Sequence, residues 1–443
     1  MALLILLSSI LLSCYDVNAE SVGRVNPAPV EITNGNANLT AFLLSSGKRY
    51  PEFDKDVQEY TISLEYGTTT LTITPEAADK GSVIKFNGKK YKHKDTIPVE
   101  LTGSKQKFTL EINSPSGAKK VYTFNVEYRL PYAVVETPKS DWLFWDDFEN
   151  DSKNHLYCFY NVGPKQDKKG VFGPENGAGI GGSRGMQANF AAADGEDHTV
   201  GGLQVYFGKT PDGRYKPLPG TETTYFDEIY VRYYVKNEKS WNFGGADKMS
   251  RISSIQGPGG IMSQSMIAHQ WSWGGEGVTG DYLILDPASG INIHNGNKNK
   301  GDGTKLISTR YNDFANLNWG LGGKNTVEGK NIPIFDKYHV GEWYAIEVHI
   351  KLNTKGKTDG IFQLWIDDAL VVSMTNVNWI GSYNDPYGIN CFYLENYCNH
   401  GVPHDMTRYF DNLVISRSKI GLAEANASPL LQTIFSSDFP TNQ

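Results

Sequence analysis

Hydrophobic and polar residues alternate with a period of two along much of this chain. The clearest run is Ala345 to Leu352, where Ile346, Val348, Ile350 and Leu352 fall on one face and Glu347, His349 and Lys351 on the other. That alternation predicts a half-buried strand. A polar turn rich in Asn, Gly, Lys and Asp follows, and Ile361 to Asp367 alternates again, with Phe362, Leu364 and Ile366 opposite Gln363, Trp365 and Asp367. The pair predicts an antiparallel hairpin. Its polar face fits plain solvent surface, or a sugar platform in which Trp365 lies against a pyranose ring while Gln363 bonds hydroxyls.

The same reading divides the rest of the chain. Short apolar runs at Leu39 to Leu44, Tyr60 to Leu64, Leu71 to Thr74, Val83 to Phe86, Phe108 to Ile112 and Val121 to Val126 are separated by Gly, Asp, Asn and Pro turns. They predict a small β-sandwich over residues 36–129. Residues 130–140, with Pro131 and Pro138, read as a linker. Residues 141–421 carry many strands between long Gly/Asn loops, which predicts a large two-sheet β-jelly roll. Its strands include Gly185 to Phe190, Leu203 to Phe207, Glu228 to Val235, Met249 to Ile255, Ile261 to Trp271, Tyr282 to Leu285, Ile389 to Leu394 and Tyr409 to Ile415. Residues 422–443 are weakly patterned and read as a tail. The fold class expected is therefore all-β.

Length and composition agree. The chain has 443 residues, enough for two or three domains, with 46 Gly and 25 Tyr and no long helical heptads. A net charge of −7 with both signs well mixed gives no reason to expect nucleic acid. A monomer is expected. Residues 1–13 are apolar but too short to span a bilayer. Leu11-Leu12-Ser13-Cys14 resembles a bacterial lipobox, which implies acylation of Cys14, a tether over residues 15–35 and an outer-membrane or cell-surface lipoprotein. A plain signal peptide, for a periplasmic or secreted protein, is the alternative; either implies export. Cys158, Cys391 and Cys398 remain, an odd number for disulfide pairing. Cys391 and Cys398 are seven apart, hence on opposite faces of a continuous strand.

Candidate chemistry concentrates in a few segments. In Trp241 to Gly257, regular alternation puts Lys248, Ser250 and Ser254 on one face and Met249, Arg251 and Ser253 on the other, with two glycines shortly before Lys248. Arg184 lies in Gly181-Gly182-Ser183-Arg184-Gly185, His269 and Trp271 share a strand face, and Tyr282 opens Asp281-Tyr282-Leu283-Ile284-Leu285. Each alone is compatible with an ordinary structural role. Acidic residues gather near the domain's ends, in Asp146-Asp147-Phe148-Glu149 and Phe410-Asp411-Asn412. First and last strands of sandwiches commonly pair, so Asp147, Glu149 and Asp411 are candidate ligands of a structural calcium; no other cofactor is required.

Two resemblances add to this. Leu39-Thr40-Ala41-Phe42, Leu44-Ser45-Ser46-Gly47, Phe53-Asp54 with Val57, Tyr60-Thr61-Ile62 and Lys120-Val121-Tyr122-Thr123-Phe124 look like the bacterial cadherin-like β-sandwich repeat, a module used as spacer or weak binder. Farther on, Gly244 to Lys248, Asp281 to Ile284 and the hairpin from Lys351 to Asp367 resemble jelly-roll polysaccharide lyases of the family 14 alginate lyases and family 20 glucuronan lyases. That resemblance implies a catalytic role for Lys248 and Tyr282. Ala246 and Asp247 stand between the glycines and Lys248, Met249-Ser250 replaces the usual leucine-proline, and Ile284 occupies the place of a second tyrosine.

The chemistry such a protein must perform follows from its substrate. A uronate polymer is cut by β-elimination when a base removes the C5 proton and an acid protonates the departing O4. The adjacent carboxylate must first be neutralised. Lys248 could serve as base or neutraliser, with Arg251 modulating it; Tyr282 could be acid or base; His269 is a competing base with a better-matched intrinsic pKa. Arg184, Trp271, Gln363, Trp365 and Tyr393 are candidate contacts for an anionic polysaccharide such as ulvan, alginate or glucuronan. Glycoside hydrolysis would need a carboxylate pair at a set separation, and Glu395 stands alone in Tyr393-Leu394-Glu395-Asn396. A glycan-binding lipoprotein without activity is the remaining alternative.

Overall fold

A computed structural model describes residues 35–65, 68–102, 105–129, 136–162, 172–194, 200–211, 216–241, 247–256, 263–273, 282–295, 298–299, 301–319, 334, 339–398 and 401–423. Cys14, its tether and nearly all of the C-terminal tail lie outside these residues. The described chain is almost entirely β, as the period of two predicts.

The N-terminal unit is a sandwich of a three-stranded and a six-stranded sheet. All six expected strands form there, joined by short ones at Lys48–Tyr50, Lys89–Tyr91 and Ile97–Val99. Strands Glu59–Glu65 and Lys119–Arg129 run parallel. Between the sheets, the Phe42 ring meets Tyr60 and Phe124 edge-on, and Phe108 stacks on Phe124.

The larger unit is two sheets closing on one core. One has eight strands; along its hydrogen-bonded path, Met406–Ser416, Glu228–Asn237, Tyr344–Lys351 and Gly360–Ile366 are successive neighbours. The other has seven, in the order Cys158–Val162, Val200–Tyr206, Cys391–Cys398, Asp247–Gln256, Ser263–Trp273, Tyr282–Ser289 and Asn318–Trp319. Val231, Tyr233, Ile346, Val348 and Leu364 of the first join Met249, Ile252, Ala268, Leu285 and Leu394 of the second in one buried cluster. This two-layer arrangement buries one face of each sheet and leaves the other available.

The hairpin forms as expected, with Val348 opposite Leu364 and His349 opposite Gln363; its first strand, expected to be half-buried, is instead buried on both faces up to Lys351. It belongs to the eight-stranded sheet, and its polar side chains are engaged. Both Glu347 carboxylate oxygens accept backbone N–H groups, from Ile420 and Gly421. His349 lies between Gln363 and Glu228, at 2.9 and 2.8 Å, and stacks on Tyr230.

The two units touch. Gly47 N donates to Glu342 Oε1 at 2.8 Å, Lys48 Nζ pairs with Asp367 at 2.7 Å, and Lys239 Nζ reaches Ser45 O. Gly47 has φ +90°, and a Cβ there would stand 2.7 Å from Leu64 Cδ2, so only glycine fits this contact. A cavity of about 220 Å³ lies at the joint, lined among others by Lys48, Arg49, Glu52, His339, Tyr344 and Asp367.

Candidate active site

The outer face of the seven-stranded sheet, away from the core, collects charge. Lys248 stands opposite Trp271 on one side and Tyr397 on the other; Arg251 stands opposite His269 and Tyr393. Regular alternation would separate Lys248 from Arg251. Instead the register shifts between Lys248 and Ser250 against both neighbouring strands. Met249 joins the core, and Ser250 Oγ also faces inward, against Tyr233 and Gln270. The irregularity corrects the sequence expectation: with two consecutive residues turned inward, Lys248 and Arg251 share the outer face.

Glu395 holds this group together. Its Oε1 accepts Arg251 Nη2 at 2.6 Å; its Oε2 meets Arg251 Nε at 3.3 Å and His269 Nε2 at 3.0 Å. Arg251 Nη1 donates to Asn312 Oδ1 at 2.8 Å. Arg251 and His269 are each 1% exposed, Glu395 3% and Lys248 7%. Burial alone would push the Glu395 carboxyl up, but Arg251, His269 and Lys248 outweigh it and hold it well below the usual carboxylate range. Burial takes the His269 imidazole down to about 3 against the opposing pull of Glu395. Burial likewise lowers the Lys248 ammonium to about 8, with Glu395 opposing and Arg251 assisting.

Arg251 and Glu395 cancel, His269 is neutral, and among the described residues Lys248 makes no ion pair. Its Nζ sits 3.9 Å from the Tyr397 ring centre and 5.2 Å from that of Trp271. Aromatic faces stabilise an ammonium without neutralising it. Lys248 therefore stands without an ion-pair partner beside a neutral imidazole whose ring centre is 4.3 Å from that of Trp271, and Asp286 stands opposite His269 on the next strand. Strongly perturbed titratable groups of this kind cluster at functional sites.

The structure thus brings together Lys248, Arg251, His269, Trp271 and Tyr393. Tyr393 is fully buried behind Arg251, its ring between those of Tyr160 and Tyr311. Tyr282 begins the adjoining strand with its backbone opposite Trp273; its side chain, like the glycine loop at 242–246, lies outside the described residues. Three candidates go elsewhere. Arg184 is on the eight-stranded sheet, where it donates to Phe148 O and pairs with Asp151. Gln363 and Trp365 are on that sheet too, Gln363 bonded to His349 and Ser373. Asp411 accepts the N–H groups of Ile180 and Asn412. Burial is the main cause that pushes its carboxyl up, and Glu149 and Asp147 stand close enough to add to the rise; among the described residues no group of three or more His, Cys, Asp or Glu side chains stands placed to hold a metal ion.

Sequence reasoning missed the role of Glu395, and it missed Asn312, Tyr311 and Tyr397. The available signal for Glu395 was its alternation with Tyr393 and Tyr397 along one strand. Among the described residues Cys158, Cys391 and Cys398 form no disulfide with one another; Cys391 packs on the outer face and Cys398 in the core, as their odd spacing requires.

Comparison with known proteins agrees with the N-terminal reading: residues 32–129 match the family model of the cadherin-like beta sandwich domain. No curated protein matches the chain. Solved structures similar in part include an endo-β-1,4-glucuronan lyase from the fungus Trichoderma reesei, at 14% identity over 62% of this chain and 96% of that one, with a TM-score of 0.38. A marine PL-14 alginate lyase from Aplysia kurodai aligns at 12% identity over 62% and 99%, with a TM-score of 0.40. A double mutant of alginate lyase Aly36B in complex with alginate tetrasaccharide aligns at 16% over 54% and 82%, with a TM-score of 0.33.

Proposed function

We propose that this protein is a polysaccharide lyase that cleaves a uronate-containing polymer by β-elimination, with ulvan, alginate and glucuronan as candidate substrates. The observation that carries the reading is the Lys248 ammonium, which makes no ion pair among the described residues, beside neutral His269 on one sheet face. Elimination needs the C5 carboxylate neutralised, a base for the C5 proton and a donor for O4. Lys248 suits the first task, because an incoming carboxylate raises its pKa and keeps it charged. His269 and Tyr282 are the candidates for the two proton transfers, and Trp271 offers a ring to the sugar. The motif resemblance around Lys248 and Tyr282 supports the same assignment. Export as a lipoprotein acylated on Cys14 would put the enzyme at the outer membrane or cell surface, where such polymers arrive.

A second reading has its own observation. Tyr311 and Phe314 are exposed, and Phe314 stacks on Trp319 beside the cluster, as in a glycan-binding platform without chemistry. Incubation of the purified protein with a panel of uronate polymers, followed by ultraviolet absorbance of the unsaturated product, tests the first reading. Absorbance growth on at least one polymer is expected. Retention in affinity gels with no absorbance on any polymer would hand the site to the second.

A further inference from the structure

The Glu395 carboxylate accepts from two partners at once, and this constrains the protons of the whole cluster. An ionised carboxylate has no hydrogen to give. The contact at 3.0 Å between Glu395 Oε2 and His269 Nε2 is therefore an N–H···O bond in which the imidazole donates. The other ring nitrogen, Nδ1, is buried and has no hydrogen-bond partner among the described residues. Arg251 approaches the same carboxylate through Nη2 and Nε, so its charge keeps Glu395 ionised inside the protein.

From this geometry we infer that Glu395 is a positioning residue that fixes His269 in the Nε2–H tautomer and reserves Nδ1 as the only lone pair of the ring. The catalytic consequence rests on the lyase reading above: a proton arriving at Nδ1 makes an imidazolium whose charge Glu395 already faces. The tautomer itself does not depend on that reading. Glu395 touches neither substrate nor reacting atoms; it acts through His269.

The test is the long-range ¹H–¹⁵N spectrum of the histidine rings in the full chain, with His269 assigned through His269→Gln. A protonated Nε2 and bare Nδ1 between pH 6 and 8 are expected. In Glu395→Gln the two Arg251 donors claim the amide oxygen, which turns the amide NH₂ toward Nε2. The tautomer should then invert, and kcat should fall on the order of 10²- to 10⁴-fold with KM little changed. Glu395→Asp should restore the wild-type tautomer and part of kcat. A wild-type ring protonated on Nδ1, or the same tautomer in wild type and Glu395→Gln, overturns the inference; the wild-type spectrum suffices if the variant does not fold. Inversion of the tautomer in a protein silent on every polymer would sustain the proton assignment while removing the lyase reading.

Discussion

The chain builds an Arg–Glu–His trio twice, and the two differ in what they can do. At the joint between the units, Arg49 Nη2 lies 3.4 Å from Glu52 Oε2, His339 Nε2 lies 2.9 Å from the same oxygen, and the Glu52 side chain is 40% exposed. On the seven-stranded sheet, Arg251 grips Glu395 through two nitrogens, and no member is more than 3% exposed. The first is a local contact: Arg49 and Glu52 are three residues apart, and His339 is contributed by the other unit. The second is assembled by strand register from three separate strands. The same residue types thus make an interdomain fastening in one place and a candidate reaction centre in the other. Burial, two-point binding of the carboxylate and a neighbouring ammonium without an ion pair among the described residues separate them.

The largest expected effect is on the proton transfers. Tyr282→Phe should lower kcat by about 10²- to 10⁴-fold in steady-state kinetics, the span typical of a lost proton-transfer group. Glu395→Ala comes next. It leaves a buried guanidinium without its partner and should cost about 3–5 kcal/mol in urea unfolding. Glu52→Ala, the matching change at the joint, should cost about 1 kcal/mol or less, because solvent replaces the lost contact. Equal costs for the two would break the comparison.

Acid should also tell the trios apart. His269 ordinarily titrates near 6.5, and burial takes it to about 3 in the folded protein. Between those values the unfolded chain binds a proton that the native state refuses, so stability falls as pH drops through that window. Glu395, held low, adds a loss in the same direction as pH falls from the ordinary carboxylate range toward its own depressed value. His269→Leu should flatten the fall in melting temperature between pH 6 and 4. The smallest effect belongs to the hairpin: Trp365→Ala and Gln363→Ala should leave kcat and KM on polymer unchanged, because both side chains sit on the other sheet.

These outcomes bear on what the chain made legible. Alternation located the hairpin and its core face, because the inward residues of a strand recur at every second position; it did not show that the polar face of Tyr344–Lys351 is buried as well. The six strands of the small sandwich were readable for the same reason, and so was the split of Cys391 and Cys398 to opposite faces. What alternation could not supply was the irregularity between Lys248 and Ser250, since an extra inward-facing residue is set by the neighbouring strands and not by local pattern. Without it Lys248 and Arg251 seem to point apart. Glu395 was invisible as a partner because its contacts come from residues more than a hundred positions away. Gln363 and Trp365 looked like sugar contacts because a polar strand face reads the same whichever sheet it joins.

The most direct test of the account sets wild type and Lys248→Ala side by side on the uronate panel, following absorbance of the unsaturated product and checking each fold by its melting curve. The account predicts product from wild type on at least one polymer and none from a folded Lys248→Ala. Product from Lys248→Ala at the wild-type rate would contradict it.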